Sequence, residues 1–289
     1  MTIYNLGSIN ADLFYSLPHL PLPGETLAST TFSRGLGGKG ANMSVAAARA
    51  GARCAHIGAV GPDGAWAVER LTEYGVDTRP VVTLPEATGH ALILVDAAGE
   101  NSIVLYPGAN RALSETHIAD VLAQATAADT FLTQNETNLQ REAAEIAASK
   151  GMRVVYAAAP FDADAVQAVL PLLNMLVLNE VEAQQLEQAT GLSPDKLPVA
   201  DVVMTLGAKG CRWFHDGQAQ DFAALKVTPV DTTGAGDTFT GYLLAGLDRG
   251  MPMAQAIALA QKAGALMVTR HGTADVIPDL KDVQDAFRT

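Results

Sequence analysis

The sequence predicts an α/β fold built around a mostly parallel sheet. Short apolar segments typical of buried strands alternate with Ala-rich segments of helical period along most of the chain. Of the 289 residues, 48% are hydrophobic but only 6% are aromatic. Small side chains allow helices to pack closely on a sheet, which favours layers of helix and sheet over a β-sandwich. A chain of this length suits one large domain or two of ordinary size.

Alternating strand and helix segments open the chain. They are, in order, the strand "TIYNLGSI", the helix "ANMSVAAARAGA", the strand "CAHIGAVG" and the helix "GAWAVERLTEYGV". Gly51 and Gly75 stand near the ends of the two helices, where glycine commonly terminates helical structure. Strands that alternate with helices in this way indicate a parallel sheet.

Two stretches, at about 12–35 and 88–107, break this alternation. The first contains three prolines and β-forming residues but no helical period. The second has two apolar runs around "AAGE", a pattern typical of a β-hairpin with a glycine-containing turn. Two solvent-facing loops would also fit. We expect one small β-layer that covers one face of the main domain, because each half alone would be a marginal sheet.

After residue 110 the alternation resumes and continues through the second half. The predicted helices are "SETHIADVLAQATA", "LQREAAEIAASKG", "EVEAQQLEQATG", "GDTFTGYLLAGLDRG" and "MAQAIALAQKAGALMVT". The predicted strands are "DTFLTQN", "MRVVYAAAP", "LLNMLVLN" and "DVVMTLGAKG". The segment "GCRWFHDGQAQDFAA" predicts a hairpin that turns at Asp216-Gly217.

The charge balance and the cysteines narrow the possible partners and compartments. A net charge of −12 repels phosphate backbones, so we expect no nucleic-acid partner. Cys54 and Cys211 lack the spacing of a metal site, and two such thiols in a long chain are typical of a reduced, cytoplasmic protein. The first residues do not resemble a signal peptide, and no apolar run reaches the length of a membrane-spanning helix. We therefore expect no membrane partner.

Lys39 and Asn42 lie in a glycine-rich run, "GLGGKGAN", at residues 35–42. Its Gly-x-Gly-x-x-Gly spacing matches a dinucleotide-binding fingerprint, but the preceding "ASTTFSR" is polar and not a buried strand. A Walker A loop is excluded because Lys39 is followed by Gly and not by Ser or Thr. Glycines let a ligand approach the backbone closely, so Lys39 and Asn42 could bond to its hydroxyl groups. The alternative is a loop that starts a helix and carries a solvated lysine.

Short polar side chains follow two of the predicted strands. Asn10 and Asp12 come after the first strand in "GSINAD", and Glu136 ends another strand in "QNE". Ligands of open α/β sheets bind beyond the carboxyl ends of the strands. We expect Asn10 and Asp12 to be exposed there and to suit sugar hydroxyls, with Glu136 on the same edge. The alternatives are an Asx-turn for the first pair and an ordinary surface position for Glu136.

Asn179 and Glu182 follow the most apolar predicted strand, in "LNEVEA". They lie about one helical turn apart and would share a face of the helix. Acceptors near the phosphates of a nucleotide typically hold Mg²⁺ through water. An N-cap Asn and a Glu favoured by the helix dipole explain the same two residues equally well. The run "TLGAKG" at residues 205–210 could cradle phosphate or simply turn the chain.

The run "DTTGAGDTF" places Asp237 at the beginning of a predicted helix. Gly234 and Gly236 permit backbone conformations that point successive N–H groups at one spot, and the helix adds the positive end of its dipole. The run therefore predicts an anion hole. A carboxylate would compete with a bound anion there, unless Asp237 accepts the proton of a neutral hydroxyl as a phosphoryl group is transferred to it. An N-cap role is the alternative for Asp237.

Taken together, these motifs resemble those of the ribokinase-like (PfkB-type) carbohydrate kinases. In the order of that family, the chain has "GSINAD", "PLPGET", "GGKGAN", "YPGAN", "LNEVEA", "TLGAKG", "DTTGAGDTF" and "VTRHGT". Each motif alone is weak, but the ordered set covers nearly the whole chain. The resemblance implies one kinase domain over residues 1–289, folded as a three-layer α/β/α sandwich. It also implies a β-lid at about 12–35 and 88–107, and a homodimer formed through that lid.

The resemblance also implies an activity and a set of site residues. The implied reaction transfers the γ-phosphoryl group of ATP to a sugar hydroxymethyl group, with ribose as the expected sugar, Mg²⁺ as cofactor and K⁺ as activator. Asp237 would be the base, and Gly234, Ala235 and Gly236 would supply the anion hole. The other implied residues are Asn10, Asp12, Gly38, Lys39, Asn42 and Glu136 at the sugar, Asn179 and Glu182 by the phosphates and Mg²⁺, Thr205, Gly207 and Gly210 along the nucleotide, and Asp231 and Thr233 with residues 270–273 at a monovalent cation.

One position departs from the family pattern. Residue 157 is Ala where these kinases commonly have Asn, in a segment like N-P-A-P. That Asn helps to position phosphate or its water shell, so a ligand-binding protein without the chemistry is a second hypothesis. Kinases of fructose, of another pentose or of a nucleoside are further alternatives, and a dehydrogenase is a third class. Lid side chains such as His90, Leu92 and Tyr106 would help to shape the pocket.

Overall fold

The computed structural model describes residues 1–288, and strands alternate with helices along most of them. The strands are β1 (Thr2–Leu6), β2 (Asn10–Ser16), β3 (Thr31–Gly37), β4 (Arg53–Val60), β5 (Val81–Thr83), β6 (Gly89–Val95), β7 (Asn101–Tyr106), β8 (Thr130–Gln134), β9 (Arg153–Ala157), β10 (Met175–Asn179), β11 (Asp201–Thr205), β12 (Gly210–His215) and β13 (Gln218–Ala223). The α-helices are α1 (Lys39–Arg49), α2 (Ala65–Glu73), α3 (Glu115–Leu122), α4 (Gln140–Ser149), α5 (Ala163–Val169), α6 (Glu180–Thr190), α7 (Ala235–Asp248), α8 (Met253–Met267) and α9 (Leu280–Ala286).

Nine strands form the central sheet, in the order β13-β12-β11-β10-β9-β8-β1-β4-β5. All pairs from β5 to β11 are parallel, and the β12–β13 hairpin adds two antiparallel strands at one edge. Leu6 at the end of β1 is in register with Ile57 of β4 and Thr133 of β8. The carboxyl ends of these neighbouring strands therefore lie at the same edge, where ligands of open α/β sheets bind.

Helices cover both faces of the sheet, and each face buries its own apolar core. Leu243 of α7 and Ile257 of α8 are fully buried on one side, and Ile118 of α3 packs with Phe131 on the other. Small residues bring α1 and α7 close together, since a Cβ placed on Gly241 would lie 2.5 Å from the Ala46 Cβ. The result is the three-layer α/β/α arrangement that the sequence predicts.

A second sheet of four strands, in the order β3-β2-β6-β7, begins just after β1 ends. We refer to these four strands as the small sheet. β2 pairs antiparallel with β3 and parallel with β6, and β6 forms a hairpin with β7. The edge strand β7 presents Ile103, Val104 and Leu105, each more than half exposed. No helix within residues 1–288 has the length and apolar character needed to cross a membrane.

Asn10 and Asp12 are not the exposed loop residues that the "GSINAD" motif predicts. Both belong to β2, and each is only 7% exposed. The prediction was wrong because β2 has a partner strand on each side, with Asn10 opposite Gly37 and Gly89. Neighbouring backbone therefore covers side chains that a loop would leave in water.

Candidate active site

Asp237 lies in the first turn of α7, and it is 8% exposed. The N-cap of this helix is Gly234, with φ at 75°, so Asp237 is not the capping residue. Its Oδ2 instead accepts a 2.8 Å hydrogen bond from Nδ2 of Asn42, in the first turn of α1. The beginnings of α1 and α7 therefore meet at this carboxylate, and the capping alternative does not explain Asp237.

The electrostatic environment of Asp237 is shared with Lys39. Burial raises the pKa of the Asp237 carboxyl, and the charge of Glu136 adds to this shift. The Lys39 charge and the Asn42 hydrogen bond oppose it. The pKa of Lys39 is raised chiefly by the Asp237 charge, while burial opposes the shift. A buried carboxyl with a raised pKa is suited to accept a proton from a hydroxyl group.

The backbone amides at the beginning of α7 are open on one side. The Ala235 N–H makes a long 3.3 Å bond to the Thr232 carbonyl, and the Thr238 N–H bonds to the Gly234 carbonyl at 2.8 Å. Between them, the Gly236 amide has no acceptor among residues 1–288. A Cβ placed on Gly236 would meet no atom within 4 Å. Open space in front of free amides at a helix beginning suits an anion.

Glu136 is held against the beginning of α1. Its Oε2 accepts a 3.0 Å hydrogen bond from the Lys39 backbone N–H and a second one from the Ser8 hydroxyl. The Ser8 Oγ also accepts a hydrogen bond from the Gly40 N–H at 3.3 Å. Gly38 is the N-cap of α1 with φ at 93°, and a Cβ there would lie 2.8 Å from the Ser8 carbonyl oxygen.

Asp12 brings a third acidic side chain to the same region. Burial is the main cause that raises its pKa to about 7, and the charges of Glu136 and Asp237 add to the shift. The glycine at position 37 makes room for this carboxylate, because a Cβ there would lie within 2.3 Å of three Asp12 atoms. The charges of Glu136 and Asp237 therefore act on both Asp12 and Lys39.

The sequence motifs contain two residues whose roles were not predicted. Ser8 lies inside "GSIN" and is fully buried, where it supports Glu136. Asn110 lies inside "YPGAN", is 1% exposed and donates a 2.8 Å hydrogen bond to Asn10 Oδ1. Apart from their places in these motifs, neither residue has a local signal that identifies its partner. Their partners could not be predicted because the contacts join segments far apart in the sequence.

Asn179 and Glu182 form a capping box at the beginning of α6. Asn179 Oδ1 accepts from the Glu182 N–H, and Glu182 Oε2 accepts from the Asn179 N–H, both at 2.8 Å. The capping roles, which the sequence offers as the alternative to a Mg²⁺ site for these two residues, are therefore present. Burial raises the pKa of Glu182, its own hydrogen bond and the Lys39 charge lower it, and the Asp237 charge raises it. Glu182 thus shares an electrostatic field with the Lys39 and Asp237 pair.

Thr205, Gly207 and Gly210 lie at the end of β11 and in the turn that follows. Thr205 is opposite Asn179 in the parallel pairing, so both end at the same edge of the sheet. Gly207 and Gly210 have φ values of 56° and 108°, which glycine adopts without strain. A Cβ on Gly210 would lie 1.9 Å from the Phe222 carbonyl oxygen. The β12–β13 hairpin therefore explains this glycine, whether or not a nucleotide lies beside it.

Asp231 joins the segment before α7 to the loop after α8. Its Oδ1 accepts from the Thr233 N–H at 2.9 Å, and its Oδ2 accepts from the Gly272 N–H at 3.2 Å. Burial raises the pKa of Asp231, but the hydrogen bonds from Thr233 and Gly272 and the charge of His271 together lower it, so the net shift is downward. The side chain is therefore a charged oxygen ligand, of the kind that a monovalent cation would need.

Comparison with known proteins shows likeness over the whole chain. A family model described as pfkB family carbohydrate kinase matches residues 3–280. The chain is 38% identical over 293 residues to the ribokinase of Haemophilus influenzae, covering 96% of this chain and 95% of that protein.

Two solved structures share the fold. The ribokinase of Cryptococcus neoformans var. grubii serotype A in complex with ADP has a TM-score of 0.84 and 34% identity, over 99% of each chain. The ribokinase of Arabidopsis thaliana complexed with ribose and ATP has a TM-score of 0.87 and 27% identity, over 100% of this chain and 98% of that one. The likeness confirms the predicted α/β/α sandwich.

Proposed function

Because the chain belongs to the pfkB family of carbohydrate kinases, we propose that it phosphorylates D-ribose with ATP to give ribose 5-phosphate and ADP. The observation that carries this proposal is the buried carboxylate of Asp237 at the beginning of α7, which is hydrogen-bonded to Asn42 of α1 and lies within the electrostatic influence of Lys39. The ribokinases of Haemophilus influenzae and Arabidopsis thaliana support ribose as the sugar, since the structure of the second contains ribose and ATP.

In the proposed chemical step, the beginning of α7 supplies both the base, Asp237, and the backbone amides that bind the phosphoryl group. Asp237 accepts the proton of the sugar hydroxymethyl group as its oxygen forms a bond to the γ-phosphorus. The bond between that phosphorus and the β–γ bridging oxygen breaks, and ADP leaves. The amides of Gly234, Ala235 and Gly236 stabilise the charge of the phosphoryl group in transit, together with the helix dipole. A positioned base of this kind contributes about 10²–10⁴-fold to the rate.

The sugar would lie among polar groups that the structure gathers from separate segments of the chain. These are Asn10 and Asp12 in β2, Gly38, Lys39 and Asn42 at the beginning of α1, and Glu136 after β8. Asn42 Oδ1 is buried and accepts no hydrogen bond from the described residues. Because such atoms are rarely left without a partner, a small shift of this side chain on sugar binding would let it accept from a sugar hydroxyl.

ATP and its metal ions would bind along the ends of β10 and β11. Residues 1–288 contain no group of three or more His, Cys, Asp or Glu side chains arranged to hold a metal. Mg²⁺ fits this chain through Glu182 and water, because Mg²⁺ keeps several waters and is usually bound by few carboxylates plus phosphates. When bound, it would neutralise phosphate charge. K⁺ fits the charged Asp231 carboxylate beside Thr233 and residues 270–273.

We also propose a homodimer formed through the small sheet, and a cytoplasmic location. Phe32, Ile103, Val104 and Leu105 are each more than half exposed on this sheet, and a second copy would bury them. Both cysteines, Cys54 and Cys211, are free and buried, which suits a reducing compartment.

The proposed reaction is tested by a coupled assay of ADP release with Mg·ATP. The panel contains ribose, other pentoses, fructose and nucleosides, each with K⁺ and with a bulky monovalent cation in its place. Ribose should give the highest kcat/KM, and K⁺ should increase it. A higher value for a nucleoside or hexose would overturn the ribose assignment. Heat stabilisation by sugar or ATP without ADP release would favour the binding-protein hypothesis, for which Ala157 is the supporting observation.

A further inference from the structure

Asn110 is a buried amide that contacts Asn10, one of the residues proposed to bind the sugar. It lies in the 3₁₀ turn Gly108–Arg111, just after β7 leaves the small sheet. Its Nδ2 donates to Asn10 Oδ1 at 2.8 Å and to the Ile9 carbonyl at 3.3 Å. Its Oδ1 accepts from the Ile9 N–H at 2.9 Å. Every donor and acceptor group of this side chain therefore has a partner.

These contacts fix the orientation of both amides by hydrogen-bond chemistry. The Ile9 N–H can only donate, so the Asn110 atom that it meets must be oxygen. The nitrogen of Asn110 then points at Asn10, so the Asn10 atom that it meets must also be oxygen. Nδ2 of Asn10 is the group that remains, and it donates to no residue in the described part of the chain.

The space around the two amides is tightly filled on the side of β6. A Cβ placed on Gly89, in the adjacent strand β6, would lie 2.1 Å from Asn110 Nδ2 and 2.5 Å from Asn10 Oδ1. Asn110 and Asn10 are 1% and 7% exposed, so water cannot easily replace a lost bond. The backbone of β6 thus encloses the contact so closely that only glycine fits at position 89.

We propose that Asn110 is a positioning residue that holds Asn10 as a hydrogen-bond donor toward the sugar. Asn10 then recognises an oxygen lone pair of the substrate. Asn42 has the opposite polarity, because its Nδ2 is bonded to Asp237 and only its Oδ1 is free to accept. The site therefore presents one amide donor whose orientation the fold fixes, and this polarity selects which sugar oxygens can bind there. The inference rests on the proposed sugar kinase function.

The substitution Asn110→Asp tests this polarity with almost no change of shape. The carboxylate of this variant keeps an oxygen for the Ile9 N–H but cannot donate to Asn10, whose amide would rotate and present oxygen to the sugar. We expect the KM for ribose to rise about 10- to 100-fold, which is the order of effect of leaving a buried polar group without its hydrogen bond. The KM for ATP should change less than about two-fold, since ATP contributes no group to this contact.

The matched control is Asn174→Asp, at the opposite end of the sheet. Asn174 Oδ1 accepts from the Val154 N–H at 2.7 Å, and the carboxylate of the control variant keeps that oxygen. Both kinetic constants of this variant should stay at the wild-type values. Thermal unfolding of each variant distinguishes a loss of stability from a specific effect on sugar binding. A loss of stability lowers Tm without changing the ratio of the two KM values. If Asn110→Asp does not fold, Asn110→Ala removes the same donor without adding a charge or a new hydroxyl, and carries the same expectation.

A double-mutant cycle tests whether the effect passes through Asn10. In an Asn10→Ala background, Asn110→Asp should cause no further rise in the KM for ribose, because no amide remains to be oriented. Additive effects, or an unchanged KM in the single variant, would overturn the inference while leaving the kinase function intact. A wild-type protein that releases no ADP with any sugar would instead overturn the proposed function, and this inference with it.

Discussion

Asn42 and Asp237 are 195 residues apart in the sequence, yet Nδ2 of the first bonds to Oδ2 of the second at 2.8 Å. This contact joins the glycine loop that carries Lys39 to the beginning of α7. The hydrogen bond holds the carboxylate in one orientation and stabilises its charged form, against the burial that raises its pKa. In the proposed mechanism, sugar binding and proton transfer would therefore both depend on the beginnings of α1 and α7, which this bond joins.

Asp237→Asn should decrease kcat by about 10²–10⁴-fold, because the amide cannot accept the proton of the hydroxymethyl group. The KM for ribose should change far less, since the shape of the side chain is kept. The measurement is steady-state ADP release, with ribose binding followed separately by thermal shift. Asp248→Asn, at the other end of α7, is the matched control and should retain wild-type kcat. Near-normal turnover of Asp237→Asn would remove the residue from the mechanism.

Local patterns predicted the fold and the segments of the site, but not the contacts that complete it. Alternating strands and helices, the glycine run before α1 and the "TTGAGD" run could each be identified from neighbouring residues. The burial of Asn10 and Asp12 could not, because it depends on strands at residues 31–37 and 89–95 that pair on either side of β2. The same reason applies to Ser8, whose partner Glu136 lies 128 residues further along the chain.

Gly234 and Gly236 should respond differently to alanine. Gly234 has φ at 75°, so Gly234→Ala should lower the free energy of unfolding by about 1–2 kcal/mol. Gly236 has helical backbone with open space in front, so Gly236→Ala should raise the free energy of unfolding by up to about 1 kcal/mol. The new methyl would occupy space proposed for the phosphoryl group, so kcat should fall in this more stable variant. Urea unfolding and ADP release measure the two effects. Full activity of Gly236→Ala would show that the phosphoryl group lies elsewhere.

Asp12→Asn should change the pH dependence of stability. The pKa of Asp12 is raised to about 7 in the folded protein, while the unfolded carboxyl titrates near its ordinary value of 3.8. Between these values the folded state holds a proton that the unfolded state has lost, so this group makes stability fall as pH rises. The variant cannot titrate there, and its Tm advantage over the wild type should grow from pH 4 to pH 7. An advantage that does not change with pH would mean that Asp12 titrates normally.

His56 should make stability rise with pH over nearly the same range, which is the opposite of the effect of Asp12. It is fully buried, with Nδ1 against the Ser44 hydroxyl and Nε2 against the Gly7 carbonyl. Burial lowers its pKa from 6.5 to about 4, and the Gly7 contact opposes this shift. Below pH 6.5 the unfolded histidine binds a proton that the folded one refuses, so stability should fall by roughly 3 kcal/mol as the pH drops to 4.

The two groups therefore offset each other in the wild-type protein, and substitution of either should expose the other. His56→Gln removes the acid-sensitive group, so stability in this variant should fall more steeply as pH rises from 4 to 7. Asp12→Asn leaves His56 alone and should show the reverse slope. Guanidinium unfolding of both variants and of the wild type, at half-unit pH steps, measures these slopes directly. Parallel curves for the three proteins would contradict both assignments, because neither buried group would then differ in proton affinity between the folded and unfolded states.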